Sequence, residues 1–96
     1  MKIRIVQQVY LVDKPDTFKN VYKEFDSSII PHKGDFITDR AFKNPDEYEV
    51  HSISLDYDAD LAQVLIHSVE LASDKEESIK EYITMMKRYG WICKTI

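Results

Sequence analysis

The chain has 96 residues, of which 44% are hydrophobic and 31% are charged, with a formal net charge of −4 at pH 7. These values exclude a disordered chain and predict a single folded domain over residues 1–96. Cys93 is the only cysteine, which excludes an internal disulfide and favours a reducing, cytoplasmic compartment. No stretch approaches the roughly 18–20 apolar residues of a membrane-spanning helix, so no membrane partner is expected.

The charge is distributed unevenly along the chain. Residues 1–43 carry eight Lys or Arg against six Asp or Glu, whereas residues 44–77 carry ten acids against Lys75 alone. Residues 78–96 are basic again, with four bases against one acid. The central segment is therefore expected to make one face or end of the domain strongly negative, which disfavours nucleic acid and attracts basic partners.

The first predicted element is a strand over residues 2–11, where β-branched and aromatic residues are frequent. Its alternate positions form one face: Ile3, Ile5, Gln7, Val9 and Leu11. Residues 17–28 fit two structures, because their apolar residues have helical spacing while their composition is mixed. We favour a second strand that returns beside the first. A helix at about 14–26 is the alternative, and it would accompany a split or ferredoxin-like sheet.

A turn at Pro31, Gly34 and Asp35 precedes a further strand that starts at Phe36. The Pro-x-x-Gly-Asp-apolar pattern of this segment resembles part of small SH3-like barrels, although only a few residues carry the resemblance. It implies a small, strongly bent antiparallel sheet.

The clearest strand pair lies on either side of an acidic turn. In the first strand, Tyr48 and Val50 share one side, but the apolar positions then shift to Ile53, Leu55 and Tyr57. This change of parity predicts a β-bulge near His51 and Ser52. Residues 62–71 are apolar on both faces, as expected of a central or covered strand.

One helix is predicted at about 74–89. Ser73 and Glu76 form a capping box at its start, and an apolar stripe continues to Met86. Gly90 is placed to end the helix in a Schellman motif, with Trp91 folding back on Met86. The predicted fold is therefore α+β: a small, strongly bent antiparallel sheet, or an SH3-like barrel, with one C-terminal helix.

The acidic turn begins like a calcium-binding loop, with Asp56, Asp58 and Asp60 at alternate positions. An EF-hand loop also needs glycine at position 6 and glutamate at position 12. Counted from Asp56, these positions hold Leu61 and His67. The three aspartates are therefore interpreted as a hairpin tip, and no cofactor is expected.

His51 and His67 are the candidate metal ligands. A loop of three residues would place them opposite each other on neighbouring strands, close enough to share a metal. A two-residue loop or the bulge would change that register, and two imidazoles alone do not complete a zinc site. Two ordinary polar strand residues are therefore the simpler interpretation.

No catalytic motif is present, since the two glycines cannot build a phosphate-binding loop and no Gly-x-Ser-x-Gly sequence occurs. We expect a non-enzymatic module that binds a protein partner or itself. The alternatives are a nucleic-acid-associated role through the basic N-terminal half and, more weakly, a metal-dependent role through His51 and His67. The candidate interaction residues are Tyr48, Tyr57, Trp91, Asp56, Asp58 and Asp60.

Overall fold

A computed structural model of the chain describes residues 1–41, 48–72 and 75–93, and the structural statements below concern these residues. Five strands and one helix follow in order: β1 (Lys2–Leu11), β2 (Lys14–Asp26), β3 (Val50–Asp56), β4 (Leu61–Ile66), β5 (Val69–Leu71) and α1 (Glu76–Lys87). The strands form one sheet in the order β2-β1-β4-β3, and β5 pairs with the second half of β1.

The sheet consists of two hairpins joined through β1. The strands β1 and β2 are antiparallel, as are β3 and β4, whereas β4 and β5 both run parallel to β1. The predicted α+β class with a C-terminal helix is confirmed. The sheet is mixed rather than antiparallel, and it is not closed into an SH3-like barrel. The reason is that the parallel pairing inserts β4 next to β1, which leaves β2 and β3 at opposite edges.

The two ambiguous segments are now defined. Residues 14–26 are strand β2, so the helical alternative and the ferredoxin-like arrangement that depended on it are wrong. Residues 62–71, predicted as one strand, belong to two short strands, β4 and β5, that are separated at His67 and Ser68. The bulge near His51 is confirmed, because the register shifts between Val50 and Ser52.

Only one face of the sheet is covered by α1. The side chains of β1 alternate strictly between buried odd positions and half-exposed even positions. Those of β4 alternate in the same way, with Ala62, Val64 and Ile66 buried. The helix contributes a buried stripe to this core, formed by Ile79, Ile83 and Met86. Trp91 and Cys93, which follow the helix, are buried in the same core. Burial of apolar side chains between the helix and this face is the main stabilising contribution.

A buried polar contact ties the helix to the central strand. Gln7 is fully buried on the covered face, and its Oε1 accepts a hydrogen bond of 2.8 Å from the hydroxyl of Tyr82. Burial, with a smaller contribution from the nearby Tyr48, raises the pKa of Tyr82 well above its ordinary value. The hydroxyl therefore remains a neutral donor at physiological pH.

The helix ends as the sequence predicts. The amide of Trp91 donates to the carbonyl of Met86 at 3.2 Å, and the amide of Gly90 donates to Lys87 at 3.2 Å, which is the Schellman pattern. The helix begins at Glu76, slightly later than predicted. Lys75 is its N-cap residue and makes no side-chain capping hydrogen bond. The predicted N-cap residue Ser73 lies outside the described residues, and Glu76, predicted at the third helical position, is the first residue of the helix.

We expect Gly90→Ala to lower the free energy of unfolding by about 1 kcal/mol, because Gly90 has φ of +91° and an L-residue is disfavoured there. A Cβ at this position would lie 3.5 Å from Lys23 Cε, an ordinary contact, so backbone conformation accounts for the loss. Urea denaturation measures it. Gly90→Asn should lose less, since asparagine enters this region more readily. Equal midpoints for wild type and Gly90→Ala would contradict the expectation.

Candidate binding surface

The face of the sheet opposite α1 has no helix or strand packed on it in the described part of the chain. Directly paired residues on neighbouring strands point to the same side, so the register identifies its members. We call this surface the open face and define it by these residues: Lys2, Arg4, Val6, Gln8 and Tyr10 from β1, Asn20, Tyr22, Glu24 and Asp26 from β2, Ser52, Ser54 and Asp56 from β3, Leu61, Gln63 and Leu65 from β4, Glu70 from β5, and Phe18, which lines a groove with Val6 and Tyr22.

An apolar row crosses the middle of the open face. Val6 pairs with Tyr22 on one side and with Leu65 on the other. The row continues beyond β2, because Tyr22 forms an antiparallel bridge with Ile92 of the C-terminal tail. With strands about 4.8 Å apart, these four side chains span about 14 Å. Leu65 is 40% exposed and Ile92 is 48% exposed, so the row is open to solvent.

A shallow groove of about 350 Å³ crosses this row at Val6 and Tyr22. Its lining combines aromatic, amide and cationic side chains: Arg4, Val6, Phe18, Lys19, Asn20, Tyr22 and Gln63. The Arg4 guanidinium lies 5.6 Å from the centre of the Tyr22 ring, a cation–π contact. Its Nε also donates to Glu24 at 2.7 Å, and Lys2 lies 3.8 Å from the same carboxylate. Glu24 therefore contacts both cations and offsets one of their two positive charges.

The structure brings His51, at the start of β3, together with His67, just beyond the end of β4. Their ring centres are 5.3 Å apart and the ring planes meet at 78°. The turn has four residues rather than three, since Asp56 pairs with Leu61, and after the bulge the backbone of His67 lies opposite Glu49 rather than His51. His51 is itself the additional residue of the bulge. Both side chains are exposed. No third His, Cys, Asp or Glu joins them in the described ranges.

The three aspartates lie at the hairpin tip, as predicted. Asp56 Oδ1 accepts a hydrogen bond from the amide of Ala59 at 3.1 Å, and Asp60 has φ of +53°, a conformation that aspartate tolerates. No ion pair in the described residues includes any of the three. Tyr57, 78% exposed, lies beside them. The tip is therefore a solvated, negatively charged end of the sheet.

The remaining candidate interaction residues are less accessible. Trp91 is only 2% exposed because it packs into the core, so it cannot anchor a partner in this structure. Tyr48 is half-buried against the core and lines a shallow groove together with His67 and Glu70. Sequence spacing alone identifies these aromatic residues but cannot separate the buried ones from the exposed ones.

Asp39 organises a second groove, on the covered side of β2 beside Phe25 and Phe36. Its carboxylate accepts hydrogen bonds from Lys23 Nζ at 2.7 Å, from Trp91 Nε1 at 3.0 Å and from the amide of Ala41 at 3.1 Å. Burial raises the pKa of Asp39, but these hydrogen bonds and the Lys23 charge outweigh it, so the pKa is lowered overall. The sequence contains no signal for this cluster, whose members lie far apart in the chain.

No known protein-family model matches the chain, and neither a curated protein nor a solved structure matches it. In the described residues, no helix is long and apolar enough to cross a membrane. Functional interpretation therefore depends on the geometry of the open face, the histidine pair and the acidic tip.

We expect Asp39→Asn to reduce the free energy of unfolding by about 1–2 kcal/mol at pH 7, because a charge-assisted contact is lost. The pKa of Asp39 is lower in the folded state than in the unfolded state, so its ionised carboxylate stabilises the fold at pH values above the unfolded-state pKa. This stabilisation is lost as the pH falls through the folded-state pKa. The difference from wild type should therefore shrink below about pH 4. Urea denaturation at pH 7 and at pH 3 measures it.

The matched control for this prediction is Asp58→Asn, at the exposed tip, which should change stability little at either pH. A deficit of Asp39→Asn that stays the same at pH 3 and pH 7 would contradict the assignment of the stabilisation to the ionised carboxylate.

Proposed function

We propose that the chain is a non-enzymatic binding module that holds a segment of another protein on its open face. The observation that carries this proposal is the apolar row of Ile92, Tyr22, Val6 and Leu65, which crosses the sheet without a covering element in the described residues. Single exposed apolar side chains are ordinary, whereas a contiguous apolar band on a regular surface is typical of an interaction site.

The surroundings of the row support a protein partner. Phe18, which is 46% exposed, adds an aromatic side chain to the groove that crosses the row. Asn20, Gln63 and Gln8 supply amide donors and acceptors around it. Aromatic anchors inside a polar rim are the usual composition of a protein interface.

Charge complementarity indicates which partner segment fits. The acidic tip, with Asp56, Asp58 and Asp60, borders the open face at one end, and the chain as a whole carries −4. A segment with apolar anchors followed by Lys or Arg would place its cations near this tip. Two copies of the chain would each bring net negative charge to the interface, so we favour a different protein over self-association.

Nucleic acid is the rival occupant. Arg4 stacked on Tyr22, with Phe18 nearby, has the composition of a platform that stacks single-stranded bases. However, Lys2 and Arg4 both contact Glu24, whose charge offsets one of the two cations, so one net positive charge is left to attract a phosphate. The acidic tip adds repulsion. A protein occupant is therefore favoured, and we place the module in the cytoplasm because its one cysteine suits a reducing compartment.

We expect Leu65→Glu to weaken partner binding by at least about tenfold, since it puts a charge at one end of the apolar row, where the side chain is exposed to the partner. Ile92→Glu, at the other end of the row, should act in the same direction. Ile29→Glu is the matched control, because Ile29 is 76% exposed and lies outside the open face. Quantitative affinity isolation at native expression, followed by calorimetry with the purified partner, compares the four proteins after circular dichroism confirms their folding.

The results of these experiments distinguish three possible occupants of the open face: another protein, a second copy of the chain and nucleic acid. Partner binding that survives both row substitutions, or that is lost equally in Ile29→Glu, would overturn the proposal. If the purified chain is a homodimer and Leu65→Glu converts it to monomers, the occupant of the open face is a second copy of the chain rather than another protein. Retardation of a single-stranded oligonucleotide at low salt, abolished by Tyr22→Ala, would establish nucleic acid instead.

A further inference from the structure

We propose that His51 and His67 form a two-imidazole chelate for a divalent transition-metal ion of the class that prefers nitrogen ligands, represented by Zn²⁺ and Ni²⁺. The inference does not depend on the proposed protein-binding function, since it concerns only these two side chains and can be tested on the purified chain.

Backbone irregularities on two strands create the pair. On one strand, His51 is the additional residue between Val50, which pairs with Ile66, and Ser52, which pairs with Leu65. On the other, His67 lies just beyond the last residue of β4, and its amide donates to the carbonyl of Glu49 at 2.9 Å. That hydrogen bond holds the backbone of His67 against the start of the β3 hairpin strand. Both imidazoles are thus attached to ordered sheet backbone rather than to a free loop.

The separation of the rings suits a shared ion. A zinc–nitrogen bond is about 2.0–2.1 Å long and the ring centre lies about 1.1 Å beyond the nitrogen, so metal and ring centre are about 3.2 Å apart. Two imidazoles on one tetrahedral ion, at about 109°, therefore have centres about 5.2 Å apart. The observed separation of His51 and His67 is 5.3 Å. Because both rings are exposed, each can rotate to direct a nitrogen at the ion.

The coordinating nitrogen atoms and the charge around them determine which metal ions suit the pair. Imidazole nitrogen favours Zn²⁺, Ni²⁺ and Cu²⁺ over Mg²⁺ and Ca²⁺, which prefer oxygen ligands. No third His, Cys, Asp or Glu completes the set in the described residues, so water fills the other positions and the ion exchanges readily. Glu70 lines the same groove as His67 and adds negative potential that favours a cation.

The test is calorimetric titration of ZnCl₂ and NiCl₂ into the tag-free chain at pH 7.5. We expect one ion per chain, and an affinity at least about tenfold weaker in His51→Ala and in His67→Ala, because each variant loses the chelate. His32→Ala is the matched control and should remain within about twofold of wild type. His32 is exposed, like the pair, but belongs to the separate turn at residues 31–35. MgCl₂ should produce no binding heat.

A second readout locates the ion independently of affinity. Paramagnetic Ni²⁺ should broaden the amide NMR signals around residues 51 and 67 before those of the turn at residues 31–35. His51→Gln and His67→Gln serve if an alanine variant unfolds. The proposal is overturned if one of the two histidines can be replaced without loss of affinity, or if His32→Ala weakens binding as much as the pair variants do. Broadening that begins at residues 31–35 would overturn it as well.

Discussion

The position of β1 inside the sheet is the constraint on which the rest of the structure depends. This strand is hydrogen-bonded to β2 along one side and to β4 and β5 along the other. Because side chains alternate along a strand, placing the odd residues of β1 under the helix forces every even residue onto the opposite face. In the neighbouring strands, each residue paired with β1 has its side chain on the same face as its partner. The core and the open face are therefore two consequences of one register.

The histidine pair arises where that register is interrupted. Val6 pairs with Leu65 and Val9 pairs with Val69, so the β4–β5 segment contains one residue more than β1 between these two pairings. The facing strand β3 also contains one additional residue, at His51. Bulges of this kind redirect side chains and are frequent next to functional sites. Here two adjacent irregularities turn His51 and His67 towards each other.

Local signals in the sequence were sufficient for the elements that depend on near neighbours. The alternation in residues 2–11 predicted β1 and put Gln7 on its apolar face, and Gly90 with Trp91 predicted the Schellman ending of α1. The change of apolar parity after Val50 predicted the bulge. Each of these features involves residues only a few positions apart, where steric preference and burial act directly on the local chain.

Features that join distant parts of the chain could not be predicted in this way. The parallel pairing of β4 with β1 connects residues about sixty positions apart, and period-two alternation looks the same in a parallel or an antiparallel neighbour. The contacts from Asp39 to Lys23 and to Trp91 likewise depend on the completed fold, as does the hydrogen bond from Tyr82 to Gln7. Composition shows that such polar residues need partners when buried, but it does not identify those partners.

Both edges of the sheet are partly occupied in the described residues, which supports the open face, rather than an edge, as the proposed binding surface. The outer edge of β2 is bridged by Ile92 at Tyr22, and the start of β3 is bridged by the Phe36 segment at Glu49. The rest of β3 leads into the acidic tip, and charged, polar edges discourage the addition of another strand. The two bridges interrupt the run of backbone groups that an added strand would need along each edge. The open face offers the opposite combination, with backbone hydrogen bonds already made and apolar side chains exposed, so a partner gains there by burying surface.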